Sequence, residues 1–280
     1  MSKIITPDLI KKFENHLIEE EKASATQEKY MRDVNAFYIW VSENEIDKRK
    51  VIAYKEFLIE KFAPSSVNSV LSSLNSFFEF NGWFELKVKM IKIQKQIFAQ
   101  RDKELSKAEY ERLLMAAKSK NNEKLYLLMQ TICSSGIRVS ELQHITVDAV
   151  KLRKATIRCK GKMRVVLLPK ELCRKLTEYA KAQKITSGSV FVTKTGKPLD
   201  RSTIWKMMKA LCESANVPEK KVFPHNLRHL FARTFYALQK DIVRLADVLG
   251  HSSVNTTRIY TMETGEMHRK QIQKLGLLRL

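Results

Sequence analysis

The stretch ATIRCKGKMRVVLLP, residues 155–169, predicts a β hairpin inside an otherwise helical chain. Small or apolar residues alternate with polar ones, the chain turns at Lys160 and Gly161, and an apolar run returns until a proline ends it. A third short strand is predicted at 190–193. The other periodic segments repeat apolar residues every three or four positions, which is typical of helices. The sequence therefore predicts a mainly α protein with a small antiparallel β sheet.

A capping box marks the start of the domain that contains this hairpin. In the segment LSKAE, Ser106 and Glu109 have the spacing at which each side chain caps the other residue's backbone. A length of 280 residues suits about two domains, each with its own core. We predict a helical domain over 1–97, a linker over 98–104 and an α+β domain over 105–280.

The first hundred residues contain four amphipathic segments, which predict a small helical bundle. The first segment follows Thr6, an N-cap with a proline after it, and the fourth runs from Pro64 to Asn81. The second begins at Thr26, and the third covers 51–62. One side of the fourth helix is polar, and it is either ordinary surface or a face that approaches a phosphate backbone. It carries Ser66, Ser69, Ser73 and Ser76.

The net charge of +21 indicates a polyanionic partner such as nucleic acid, although a solvated lysine-rich surface is the alternative. Residues 1–100 hold 15 Lys and Arg against 14 Asp and Glu, so residues 101–280 carry the other +20. No signal peptide or membrane span is recognisable, and we expect a cytoplasmic protein. The cysteines show no CxxC pair, and we assign them no metal and no disulfide. They are Cys133, Cys159, Cys173 and Cys212.

Four residues have the chemistry and context for work on phosphate. Arg138 lies between two apolar helical segments, where its planar guanidinium matches two phosphate oxygens, although an ion pair with Glu141 is the simpler interpretation. Lys160 at the hairpin tip is either a proton donor or merely solvated. His225 and Arg228 share one face of a helix that begins near Pro224. A metal site at His225 and the histidine at 229 is the rival, but no acidic or cysteine ligand lies nearby.

His251 and Tyr260 lie nine residues apart, which would place them on opposite sides of one unbroken helix. The segment GHSS, residues 250–253, breaks the helix and removes that objection. Read alone, a tyrosine in this context is more often a packing residue than a nucleophile.

Taken in order, four segments resemble the tyrosine recombinase family, most closely its Xer-type and phage or transposon integrase members. They are SSGIRVSEL at 134–142, CKGKMR at 159–164, HNLRH at 225–229 and LGHSSVNTTRIYT at 249–261. The first hundred residues resemble the family's helical core-binding, SAM-like domain in length and pattern only. The resemblance implies that the second domain is the family's catalytic domain.

The resemblance also implies a role for each matching residue. Arg138 and Arg228 match the catalytic arginines, His225 the histidine of the HxxR box, His251 the later histidine and Tyr260 the nucleophile. Lys160 matches the hairpin lysine less well. The family pattern resembles G-K-G-x-K-x-R, whereas this chain has a cysteine in place of the first glycine and one residue fewer before the arginine. Lys162 is therefore an open alternative.

The implied activity is cleavage and rejoining of DNA through a 3′-phosphotyrosyl bond, without metal, ATP or cofactor. In this scheme His225 is the general base and Lys160 the acid. Four protomers, identical or paired with a related recombinase, would exchange strands at two double-stranded sites through a Holliday junction, and the apolar tail after Tyr260 would contact a neighbour or its own domain. The rivals are a helix-turn-helix regulator without chemistry, formed by 245–260, and a type IB topoisomerase, which the compact layout disfavours.

Overall fold

The computed structural model describes residues 3–42, 45–93, 101–159, 162–261 and 273–275. The chain folds into two compact units, Met1–Lys95 and Gln96–Leu280. The domain boundaries predicted from the sequence, including a linker at 98–104, stay a prediction, and residues 98–100 of that linker lie outside the described residues. Within the described ranges, every helix is too short or too polar to span a bilayer.

The first unit is a bundle of four helices followed by a short 3₁₀ turn. The helices are α1 (Pro7–Glu19), α2 (Ser24–Val41), α3 (Lys48–Lys61) and α4 (Pro64–Phe80), and the turn is Phe84–Leu86. As predicted, the Thr6 side chain caps α1 by accepting a hydrogen bond from the Leu9 amide at 3.3 Å. The core between the helices is largely aromatic. Phe13 and Phe77 meet edge to face at 5.2 Å, and both are completely buried.

This first core also contains a buried ion pair. The Asp33 carboxylate of α2 is 5% exposed and lies 2.7 Å from the Lys29 ammonium. Ser73 of α4 donates a hydrogen bond to the same carboxylate at 2.9 Å. The polar side of α4 was expected to be surface or a phosphate-facing side, and for Ser73 this was wrong because its hydroxyl satisfies a buried charge.

The second unit has more and shorter elements. Its α helices are α5 (Lys107–Ser119), α6 (Glu123–Ser135), α7 (Val147–Lys151), α8 (Lys170–Ala182), α9 (Arg201–Lys209), α10 (Cys212–Ala215), α11 (Pro224–Gln239), α12 (Ile242–Leu249) and α13 (Val254–Thr257). The 3₁₀ helices are Arg101–Lys103, Val139–His144, Glu219–Lys221 and Arg258–Tyr260. Both halves of the predicted capping box form, since Glu109 accepts from the Ser106 amide at 2.7 Å and Ser106 accepts in return.

The predicted hairpin consists of β1 (Lys154–Cys159) and β2 (Lys162–Leu167), which pair antiparallel with Ile157 opposite Arg164. The strand predicted at 190–193 was wrong. Among the described residues the sheet has two strands, and this region forms only isolated bridges, Thr146 with Ser189 and Val192 with Pro198. Val190 and Phe191 are buried as apolar core residues and lack a neighbouring strand that would extend the ladder.

The end of α6 lies against α11. Gly136 ends α6 in the left-handed region, with a φ of +64°. A Cβ atom there would lie 2.5 Å from the ring of Phe231 on α11, so only glycine allows this approach. The close contact brings the residues after α6 and the buried face of α11 to one place, where the candidate site is found.

Candidate active site

Arg138 lies directly after the close contact between α6 and α11, at the N-terminus of the 3₁₀ helix Val139–His144. Its guanidinium donates to the Glu141 carboxylate at 3.1 Å and to the Gly250 carbonyl at 3.4 Å. The ion pair that was the simpler interpretation from sequence is therefore present. The ion pair leaves part of the side chain available to a ligand, because Arg138 stays 38% exposed and lines a cleft.

Glu141 holds two arginines from different parts of the chain. One oxygen binds Arg138, and the other accepts from the Arg164 guanidinium and from the Arg138 amide. Burial alone would raise the pKa of Glu141, but the hydrogen bonds from Arg164 and Arg138 outweigh burial and lower the pKa. The side chain thus remains a carboxylate at neutral pH.

Arg228 of α11 is 2% exposed and serves as the centre of the site. It donates to the carbonyls of Gly136 and Leu249, the latter at 2.8 Å, and lies 3.1 Å from the Nε2 atom of His251. Burial, and then the nearby Arg138, lower the pKa of Arg228 to about 10. It remains charged at neutral pH.

Contacts at both ring nitrogens fix the orientation of His251. Its Nε2 faces Arg228, and its Nδ1 lies 2.9 Å from the hydroxyl of the buried Thr257. Burial, followed by the charges of Arg228 and Arg138, lowers the pKa of His251 to about 4, so the ring is neutral. Because arginine can only donate, Nε2 must accept, and this network assigns the proton to Nδ1, which donates to Thr257.

Tyr260 is 4% exposed and packs between two imidazoles. Its ring stacks on His251 with centroids 6.0 Å apart and meets His229 edge to face at 4.6 Å. Its hydroxyl interacts with the Arg228 guanidinium. The helix break at 250–253 therefore brings His251 and Tyr260 together, as the sequence analysis expected.

His225 lies near the start of α11, where solvent reaches part of the residue and its ring meets His229 edge to face at 4.6 Å. Partial burial of the ring, and then the charge of Arg228, lower the pKa of His225. The neighbouring His229 has a pKa of about 4, again mainly because of burial. In the part of the chain that the structure describes, no cluster of three potential ligands could hold a metal ion.

These side chains open on one cleft of about 530 Å³. Two residues of α9 that the sequence analysis did not single out, Arg201 and Trp205, line the same cleft, and 46% of Trp205 is exposed. The residues predicted from sequence that line it are Arg138, His225, Arg228, His251 and Tyr260. Five of the six predicted site residues are thus brought together.

The sixth predicted residue, Lys160, lies outside the described residues, as do Gly161 at the hairpin turn and most of the apolar tail. The backbone of the alternative, Lys162, is in β2, but its side chain is not described. The choice between the two lysines therefore stays open.

Three further residues of the site, besides Arg201 and Trp205, were missed or given another role from sequence. Glu141 was considered only as an ion-pair partner, His229 only as a metal ligand, and Arg164 only as the end of a motif. For Arg164 there was a signal, because a charged residue stands between the apolar positions of an amphipathic hairpin.

The match to known families completes this picture. The phage integrase family matches residues 103–267, and the phage integrase N-terminal SAM-like domain matches 10–83. The chain belongs to the phage integrase family. This confirms the predicted fold class, a SAM-like helical domain followed by an α+β domain of the tyrosine recombinase type.

Several relatives and solved structures of this family resemble the chain along most of its length. Tyrosine recombinase XerA of Pyrococcus horikoshii is 28% identical, over 98% of this chain and 96% of that protein. The fold resembles a lambda integrase dimer bound to a COC′ core site, with a TM-score of 0.74, 17% identity and 94% of this chain covered, 97% of that one. It also resembles XerH bound to a palindromic difH substrate in a post-cleavage complex, with a TM-score of 0.71, 19% identity and coverages of 88% and 78%.

The rival helix-turn-helix interpretation is not favoured in this family or by the geometry. The second helix of the proposed unit, α13, has only the four residues Val254–Thr257, about one turn. Tyr260, which would follow on a recognition helix, is buried against α11 instead of facing outward.

Proposed function

We propose that this protein is a site-specific DNA recombinase that cleaves and rejoins double-stranded DNA through a covalent bond to Tyr260. The observation that carries the proposal is the convergence of two arginines, two histidines and a tyrosine on one cleft. Names of relatives support it, since XerA is called a tyrosine recombinase and the XerH structure is described as a site-specific recombinase in a post-cleavage complex with a palindromic difH substrate.

The arginines supply the charge that a phosphoryl transfer needs. Arg138 and Arg164 share one carboxylate, Glu141, and Arg228 lies close enough to feel both of these arginines, so the group has more positive than negative charge. The negative charge of a phosphodiester in the cleft would neutralise this excess positive charge. Arg138 and Arg228 would bind its nonbridging oxygens and stabilise the pentacovalent transition state.

In the cleavage step, the Tyr260 oxygen attacks phosphorus, a P–O(Tyr) bond forms, and the bond from phosphorus to the 5′ oxygen breaks. His225, whose lowered pKa keeps it neutral, takes the tyrosine proton. A hairpin lysine, Lys160 or Lys162, gives a proton to the 5′ oxygen. A 5′ hydroxyl of a second strand then reverses the step, so no ATP is consumed, and neither metal nor cofactor takes part.

The role of His251 changes between states in this scheme. Its Nε2 accepts from Arg228 here, and the same atom donates to a phosphate oxygen only when it carries the proton. Binding of the phosphate would draw the Arg228 donor away from His251, and the ring would then take the Nε2–H form.

The assembly is also a proposal. We infer that four protomers, all alike or paired with a related recombinase, exchange strands in pairs through a Holliday junction. The COC′ core-site complex of lambda integrase contains a dimer, which supports assembly on DNA.

Covalent trapping tests the chemistry directly. A binding site would be enriched from a library of randomised duplex DNA with the full chain and rebuilt with a nick beside the cleavage position. We expect a covalent protein–DNA adduct in EDTA that disappears in Tyr260→Phe. Specific binding without an adduct would instead support the regulator.

A further inference from the structure

Arg164 of β2 lies on the inward face of the hairpin, although it is charged. Its strand partner Ile157 is 1% exposed and Val166, two residues on, is 2% exposed, whereas the alternate positions Met163 and Val165 are exposed. The Arg164 side chain itself is only 16% exposed. Burying a guanidinium is costly unless it is bonded, so its contacts need an explanation.

These contacts join the hairpin to two walls of the site. One amino group of Arg164 donates to the Leu249 carbonyl at 2.6 Å, immediately before the loop that carries His251. The other donates to the Glu141 carboxylate that also holds Arg138.

Gly250 gives Arg164 the room for these bonds. Its φ is +63°, and a Cβ atom there would lie 2.4 Å from the Cδ atom of Arg164. The arginine stem therefore lies directly on the backbone of the loop that leads to His251. Arg164 does not line the cleft of Tyr260, so it would act through its neighbours and not on the phosphate itself.

We propose that Arg164 is a positioning residue that fixes the β1–β2 hairpin, and with it the proton-donating lysine, against the wall formed by Arg138 and His251. This inference rests on the proposed function, since it assumes cleavage with a hairpin lysine as the acid. Without the Arg164 side chain, β2 loses its hydrogen bonds to the Leu249 carbonyl and the Glu141 carboxylate, and the hairpin lysine is no longer held at the 5′ oxygen.

Changing the leaving atom distinguishes a role in positioning the proton donor from a role in binding the phosphate. A 5′-bridging phosphorothiolate replaces the leaving oxygen with sulfur, and a thiolate, with a pKa of about 8.5 for a cysteine side chain, departs without a proton. Single-turnover cleavage would be measured on the enriched site with oxygen and with sulfur at that position. The variants are Arg164→Lys, which keeps the charge but loses the two-armed geometry, and Arg164→Met, which keeps only the stem.

We expect both variants to slow cleavage of the oxygen substrate by about 10- to 100-fold and to approach the wild-type rate on the sulfur substrate. Arg138→Lys is the contrasting variant. Its loss of cleavage rate comes from weaker charge stabilisation at phosphorus, so the rate should stay low on the sulfur substrate as well. Arg174→Lys on α8, a 58% exposed arginine, is the matched control and should change neither rate.

Equal losses of cleavage rate on both substrates would overturn the inference. They would show instead that Arg164 acts, through Glu141, on the groups that bind the phosphate. Full activity of both variants on the oxygen substrate would overturn it as well. The proposed function is tested separately by the wild-type protein. If that function is wrong, the wild-type protein forms no covalent adduct through Tyr260 on either substrate.

Discussion

The two units each bury charge, but they balance it differently. In the first unit, Asp33 is paired with Lys29 at 2.7 Å and receives a hydrogen bond from Ser73, while a second cation, the exposed Arg32, lies 3.7 Å away, so the buried anion is neutralised within the fold. In the second, Arg138 and Arg164 share Glu141, whereas the neighbouring Arg228 bonds only to carbonyls, His251 and Tyr260 among the described residues. A charge balanced within the fold stabilises structure, whereas an excess left at a cleft is available to a ligand.

The sharpest test of this contrast is Arg228→Lys. A lysine cannot reach Gly136, Leu249 and His251 together, so we expect single-turnover cleavage to fall by about 10²- to 10³-fold. Arg112 also donates to two carbonyls, those of Ala215 and Asn216, but lies away from the cleft. Arg112→Lys should leave the rate within about twofold. Similar losses in both variants would show that the effect of Arg228 is only structural.

Acid should weaken the second unit through His229 and His251. Burial lowers both pKa values from 6.5 to about 4, so the unfolded chain binds more protons between these pH values. The free energy of unfolding should therefore fall as pH is lowered from 6.5 to 4, by at most roughly 3 kcal/mol for His229 and by less for His251, which solvent screens more strongly. Urea unfolding across this range measures it. His229→Phe keeps an aromatic ring beside Tyr260, and it should make the curve shallower. An unchanged pH dependence would contradict the role of His229.

In the first unit, Asp33→Ala should lower the free energy of unfolding by about 3 kcal/mol, because it leaves Lys29 without its buried partner. Asp8→Ala is the matched control, since the Asp8 to Lys12 pair is 2.7 Å long but largely exposed. It should cost less than about 1 kcal/mol. If the two variants lose equal stability in urea, the burial of Asp33 is not what matters.

The smallest expected effect concerns inorganic anions. Sulfate should bind the excess positive charge of the second unit and raise the free energy of unfolding by about 1.4 kcal/mol at tenfold its dissociation constant. Chloride at equal ionic strength is the reference, and Arg138→Ala should reduce the difference. A sulfate effect that is unchanged in this variant would place the bound anion elsewhere on the basic surface.

Local signals in the sequence predicted much of the fold, and long-range contacts account for what they missed. Thr6 and Ser106 could be recognised as caps because a cap bonds within three residues. The strand predicted at 190–193 failed because pairing depends on a neighbour that no local pattern reveals. The buried state of Ser73 depends on Asp33, 40 residues earlier.

The site shows the same division. Five site residues lie in short motifs that are recognisable in the sequence, and the structure brings them to one cleft. They are Arg138, His225, Arg228, His251 and Tyr260. Arg164 could not be placed in this way, because its partner Leu249 is 85 residues away and the contact depends on a glycine beside it.

The burial of Tyr260 has a consequence for the DNA on which the proposed recombinase would act. With 4% of its surface exposed, between His229 and His251, the tyrosine lines the cleft but presents almost none of its surface to a phosphodiester that merely collides with the basic surface. Under the proposed function, only a strand bound in the cleft would reach the tyrosine oxygen. The packing of one aromatic ring would then protect nonspecific DNA from being nicked before any bond is broken.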